Sequence, residues 1–93
     1  MALKIEFSKR ANSKLDRILN FLHTEWSQKV ASEFLETLYI TIDNIAVFPE
    51  IGLLLNEEKG IRGFLVTKHT RLYYRIQKDK LILLNFIDTR QRP

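Results

Sequence analysis

Four arginines near the C-terminal end, Arg71, Arg75, Arg90 and Arg92, carry the clearest chemical potential in this chain. A guanidinium is planar and permanently charged, and it matches two phosphate oxygens at once. Arg71, Tyr73 and Arg75 alternate with Leu72, Tyr74 and Ile76. In a strand, alternate residues share a face, so one side of this segment enters a core while the other presents two cations around an aromatic ring. Such a ring can stack on a nucleobase. Lys68 and His69 lie just upstream. Cations nearby favour a neutral imidazole, the form that accepts a proton. All four arginines are therefore candidates to grip a phosphate, and His69 is a candidate base. Lys68, Tyr73, Arg75 and Arg92 are candidates for binding nucleic acid or a protein partner.

Other chemistries lack their residues. There is no cysteine, which removes disulfides and thiolate metal sites. His23 and His69 are isolated, so no metal-ligand pattern forms. No Gly-rich phosphate loop, nucleophile elbow or paired-carboxylate motif is present, and neither a metal nor a cofactor is expected. The opening M-A-L-K-I-E-F has no long apolar run, and no stretch reaches the roughly 20 apolar residues of a membrane-spanning helix. The expectation is a cytoplasmic protein without a membrane partner.

Charge sharpens the reading. Residues 1–50 hold six Lys/Arg against seven Asp/Glu, and residues 51–93 hold nine against four. The second half, at +5, favours an anionic partner such as RNA, DNA or an acidic protein. Within residues 60–93 only Asp79 and Asp88 are available to pair with the cations.

The elements that position these groups follow from hydrophobic period. Leu3, Ile5 and Phe7 alternate with charged residues and predict a short strand. Ser8 can cap a helix in which Ala11, Leu15, Ile18 and Leu22 recur at helical spacing, ending near Glu25. Trp26, at the corner, is expected to plug the packing there. Ser27 can cap a second helix running to about Phe48, where Pro49 stops it. The short connection predicts an antiparallel helix pair. Leu53-Leu54-Leu55 is too apolar for an exposed loop and is expected to fold back on the helices. Strands follow at Ile61–Thr67, Thr70–Gln77 and Lys80–Ile87, joined by turns at Lys68-His69-Thr70 and Lys78-Asp79. At 93 residues the chain makes a single domain. The predicted class is α+β, in the order β-α-α-β-β-β. A helical hairpin covers one face of a four-stranded, largely antiparallel sheet ordered 1-2-3-4, and the Arg71/Tyr73/Arg75 row lies on the other face.

Taken in order, the segments F-S-K-R-A, E-W-S, F-P-E-I-G, V-T-K-H-T-R-L-Y-Y-R-I and F-I-D-T-R-Q resemble the RelE/ParE superfamily of bacterial toxins from type II toxin–antitoxin systems. The resemblance spans nearly the whole chain and implies the same strand–helix–helix–three-strand fold. It also implies a cognate antitoxin that keeps the toxin silent. RelE-like members cut messenger RNA in the ribosome, and by this resemblance Arg71 and Arg90 would neutralise the scissile phosphate, with Lys68 or His69 adding charge or proton transfer. ParE-like members inhibit DNA gyrase and are not known as nucleases. Phe64, Leu65 and Val66 stand where RelE-like members carry paired lysines, and the usual C-terminal tyrosine or histidine–tyrosine pair is missing. Trp26 and F-P-E-I-G lean toward the ParE side. A non-toxic, degenerate relative that only binds an antitoxin or nucleic acid is the alternative of another class.

Overall fold

A computed structural model describes residues 3–90. The elements are β1 (Lys4–Phe7), α1 (Lys9–Glu25), α2 (Gln28–Val47), a single 3-10 turn (Pro49–Ile51), β2 (Leu53–Asn56), β3 (Ile61–Thr67), β4 (Thr70–Gln77) and β5 (Lys80–Asp88). Both helix starts form as their sequences dictate. The Ser8 hydroxyl accepts from the Ala11 amide, and the Ser27 hydroxyl accepts from the Val30 amide. Ser8 also donates to the Leu84 carbonyl, which ties the start of α1 to β5.

The sheet has five strands in the order β1-β5-β4-β3-β2, which corrects the expected four-stranded 1-2-3-4 order. The cause is one unrecognised strand. Leu53–Asn56 pairs antiparallel with β3, adding a reversal before Ile61. That reversal makes β3 run with β1 instead of against it. Because β2 takes the outer edge of β3, β1 joins the other end of the sheet, parallel to β5. The β2–β3, β3–β4 and β4–β5 pairs are antiparallel, so the sheet is mixed but largely antiparallel. The same finding corrects the fate of the three leucines: they form a solvent-exposed edge strand and do not fold back on the helices.

The core lies between the helix pair and one sheet face. Leu38, Ile42 and Ile45 of α2 and Ala11 and Leu15 of α1 meet Leu72 and Tyr74 of β4 and Leu81, Leu83 and Phe86 of β5. The step from Leu83 to Phe86 departs from a two-residue period. A bulge explains it: Tyr73 pairs with Asn85 and Tyr74 with Leu83, leaving Leu84 unopposed. Lys78 adopts a positive φ of 58° in the two-residue turn before β5, a conformation that usually selects glycine. Trp26 is 70% exposed and is not the expected packing plug.

The buried hydroxyl of Tyr74 fixes the segment after α2. It donates to the Pro49 carbonyl at 2.7 Å and accepts from the Gly52 amide at 2.9 Å. A Cβ on Gly52 would sit 2.5 Å from that hydroxyl oxygen, so the chain can approach this closely only without a side chain. Burial raises the phenol's pKa, partly offset by the Gly52 amide and by the Arg62 charge.

Candidate functional site

The candidate residues divide between the two faces of the sheet. Leu72 and Tyr74 are buried under the helices, so Arg71, Tyr73 and Arg75, each half-buried, project from the opposite, open face. Gly63 makes room for this row. A Cβ there would lie 2.7 Å from Leu55 Cδ1 and 3.2 Å from Arg71 Cδ, so Leu55 and the Arg71 stem lie over the bare glycine. Along a strand, Arg71, Tyr73 and Arg75 are spaced roughly 6.6 Å apart, about the rise of two residues. The Arg75 Nε is buried without a hydrogen-bond partner, and its Nη2 reaches Gln77 Oε1 at 3.3 Å.

His69 and Arg90 come together elsewhere, at the mouth of a groove of about 760 Å³ on the helix side. Phe34 and Phe86 of the core border this groove, and Phe21, Trp26 and Val30 wall its outer part. Lys14, Arg17 and Glu33 join His69, Asp88 and Arg90 on its polar margin. The turn between β3 and β4 is laced to the end of β5 by Thr89. Its amide donates to the His69 carbonyl and its hydroxyl to the Lys68 carbonyl. This pair of bonds brings His69 alongside Asp88, while Lys68 remains exposed.

Arg90 is engaged within the chain. Its amide and its Nε both donate to Asp88 Oδ1, and its Nη2 donates to Asp88 Oδ2 at 2.9 Å. The side-chain and backbone donors of Arg90 hold the Asp88 carboxyl down at about 2. The carboxylate in turn raises the Arg90 pKa. The structure therefore gathers His69 and Arg90 at one groove and sets Arg71, Tyr73 and Arg75 on the open face of the sheet. Arg92 lies outside the described residues. His23 is exposed on α1, and no cluster of three metal-ligating side chains occurs among the described residues.

The groove itself went unread in the sequence. Phe21 falls beside the buried stripe of α1, and Trp26 follows its last turn. Neither position has a sequence signal that tells a packed corner from an open one; their exposure shows it only in the structure.

The family model described as "ParE toxin of type II toxin-antitoxin system, parDE" matches residues 5–93. The chain belongs to this ParE toxin family. Its RelE/ParE resemblance thus stands, and it is a toxin of the type II toxin–antitoxin class. Solved structures share the fold of this ParE-family chain. The chromosomal ParDE system from P. aeruginosa superposes with a TM-score of 0.76 at 12% identity, covering 94% of this chain and 96% of that one. A YoeB/ParE toxin from Agrobacterium tumefaciens gives a TM-score of 0.66 at 17% identity, with 92% and 98% covered. The toxin–antitoxin complex RelBE2 from Mycobacterium tuberculosis gives 0.64 at 16%, with 95% and 99% covered. No curated protein matches. No helix among the described residues is long and apolar enough to cross a membrane.

Proposed function

We propose that this toxin acts by protein–protein contact, on DNA gyrase, and that a cognate antitoxin silences it. The observation that carries the mechanism is the separation of Arg71 from Arg90. A nuclease site of the RelE kind would need both cations on one phosphate. Here Arg71 lines the open face, while Arg90 lies beside the helix-side groove with its guanidinium committed to Asp88.

The groove supports the antitoxin part of the reading. It combines exposed aromatic walls with a charged margin, the makeup of a surface that receives an amphipathic helix. Trp and Arg are the side chains that most often dominate such contacts. Some solved structures of this fold are toxin–antitoxin complexes, among them RelBE2 from M. tuberculosis and DinJ–YafQ from E. coli. An antitoxin segment that is disordered when free would fold on docking and cover Phe21 and Trp26.

One observation favours ribosome-dependent mRNA cleavage as a second reading. The open face carries Arg71, Tyr73 and Arg75 in a row, and the Arg75 Nε lacks a partner. Three experiments test the proposal, the last two of which separate the readings. Inducing the toxin alone should arrest growth, and co-expressing its neighbouring antitoxin gene should relieve the arrest. Mapping RNA ends after induction should then show no new cleavage sites, while purified toxin should block supercoiling by gyrase.

A further inference from the structure

The unpaired charged side chains of the helix-side groove are divided between its two helices. Lys14 and Arg17 line it from α1, and Glu33 lines it from α2. Lys14 and Arg17 are three positions apart, so they share one face of α1, about one turn from each other. Asp88 and Arg90 also reach the groove, but they close on each other at 2.9 Å and leave no net charge there. None of Lys14, Arg17 and Glu33 has an ion-pair partner among the described residues. The same groove is lined by half-buried Ile18, Leu22 and Val30 and by the exposed ring of Phe21. Two cations on an open helix face are ordinary. Here they border an apolar groove with an acid on the other helix, so whatever fills it meets a different sign on each side.

We propose that Lys14 and Arg17 select the groove's occupant: an amphipathic helix that carries two acidic residues, three or four positions apart, on the flank facing α1. The inference rests on the groove being the antitoxin's dock, and it adds which antitoxin helix fits and which way round it lies. The apolar lining calls for an apolar stripe on the occupant. The cations choose its flank, because carboxylates at i and i+3 or i+4 match an ammonium and a guanidinium one turn apart. Glu33 supplies the repulsive half of the choice. A helix laid with its acidic flank toward α2 sets acid against acid there, and one with a basic flank toward α1 sets cation against cation. Nucleic acid fits the same groove worse. Its phosphates would meet Glu33 on α2, and they would bring no apolar surface to cover the lining.

Titration calorimetry of the purified chain with the antitoxin expressed from its neighbouring gene, at low and high salt, tests it. Lys14→Glu combined with Arg17→Glu should weaken binding at least about tenfold at low salt and flatten its salt dependence. Arg17→Glu alone, at an exposed position, should go part of the way with the thermal unfolding midpoint unchanged. An antitoxin with lysines in place of the two facing acids should bind the doubly reversed chain better than the wild type. If Trp26→Ala weakens binding while the double reversal leaves affinity and salt dependence unchanged, the groove is the dock and the charge selection is overturned. If neither change has an effect, the antitoxin docks elsewhere, and the groove reading falls together with this inference. A labelled poly(U) strand that binds the wild type and is released by the double reversal, with antitoxin affinity unchanged, overturns the proposal in favour of nucleic acid.

Discussion

Arg90 grips Asp88 through both side-chain oxygens, with Nε 3.1 Å from Oδ1 and Nη2 2.9 Å from Oδ2. The two residues lie two positions apart at the end of β5, so the pair closes on itself without drawing on the rest of the fold. A guanidinium held in this way is stationed at the groove margin.

This pairing predicts an acid titration. Asp88 should titrate near 2 in the folded chain, against an ordinary 3.8. A depressed carboxyl contributes stability that is complete above its unfolded pKa and is lost as pH falls through the folded one. The contribution should therefore fade between about pH 4 and pH 2, and it should stay under about 1 kcal/mol because the pair is largely solvated. Carboxyl NMR checks it: Arg90→Ala should return Asp88 toward its ordinary value.

Tyr74 and Gly52 make the second prediction. Tyr74→Phe removes the hydroxyl that the Gly52 amide and the Pro49 carbonyl share, leaving buried polar groups without partners. The expected loss is about 1–3 kcal/mol in denaturant unfolding. Gly52→Ala forces a methyl into the same ring and should cost about as much by overpacking.

Trp26 should matter for binding and not for folding. With 70% of its surface in solvent, Trp26→Ala should move stability by less than about 0.5 kcal/mol. If the groove receives the antitoxin, the same change should weaken antitoxin affinity at least about tenfold, as loss of an aromatic anchor does. Titration calorimetry measures the binding term and thermal unfolding the stability term.

The helix caps were legible because their signals are local. Ser8 and Ser27 precede apolar residues at helical spacing, and nothing remote competes with the hydroxyl–amide bond. Ser8→Ala should cost about 1–2 kcal/mol, at the high end for a cap, since the Leu84 contact is lost too. The β4 alternation was equally clear, and it placed Arg71, Tyr73 and Arg75 on one face correctly. Strand order was not legible. It depended on whether Leu53-Leu54-Leu55 was a buried loop or a strand, and three leucines in a row carry no period to decide that. One missed reversal was enough to move β1 to the wrong end of the sheet. That Arg71 and Arg90 line different surfaces has a related reason. The bulge at Leu84 and the turn at Thr89 set where the end of β5 points, and neither has a sequence signature here. Trp26 was misread because a corner tryptophan usually packs. Here the corner opens onto a groove.

Gyrase supercoiling of relaxed plasmid, with purified wild-type toxin and with Arg71→Ala, tests the central claim most directly. Contact-based inhibition predicts that both proteins block supercoiling, because no step in it needs the Arg71 guanidinium on a phosphate. Undiminished supercoiling at saturating toxin, together with growth arrest that disappears in Arg71→Ala, would contradict the account and return the chemistry to the open face of the sheet.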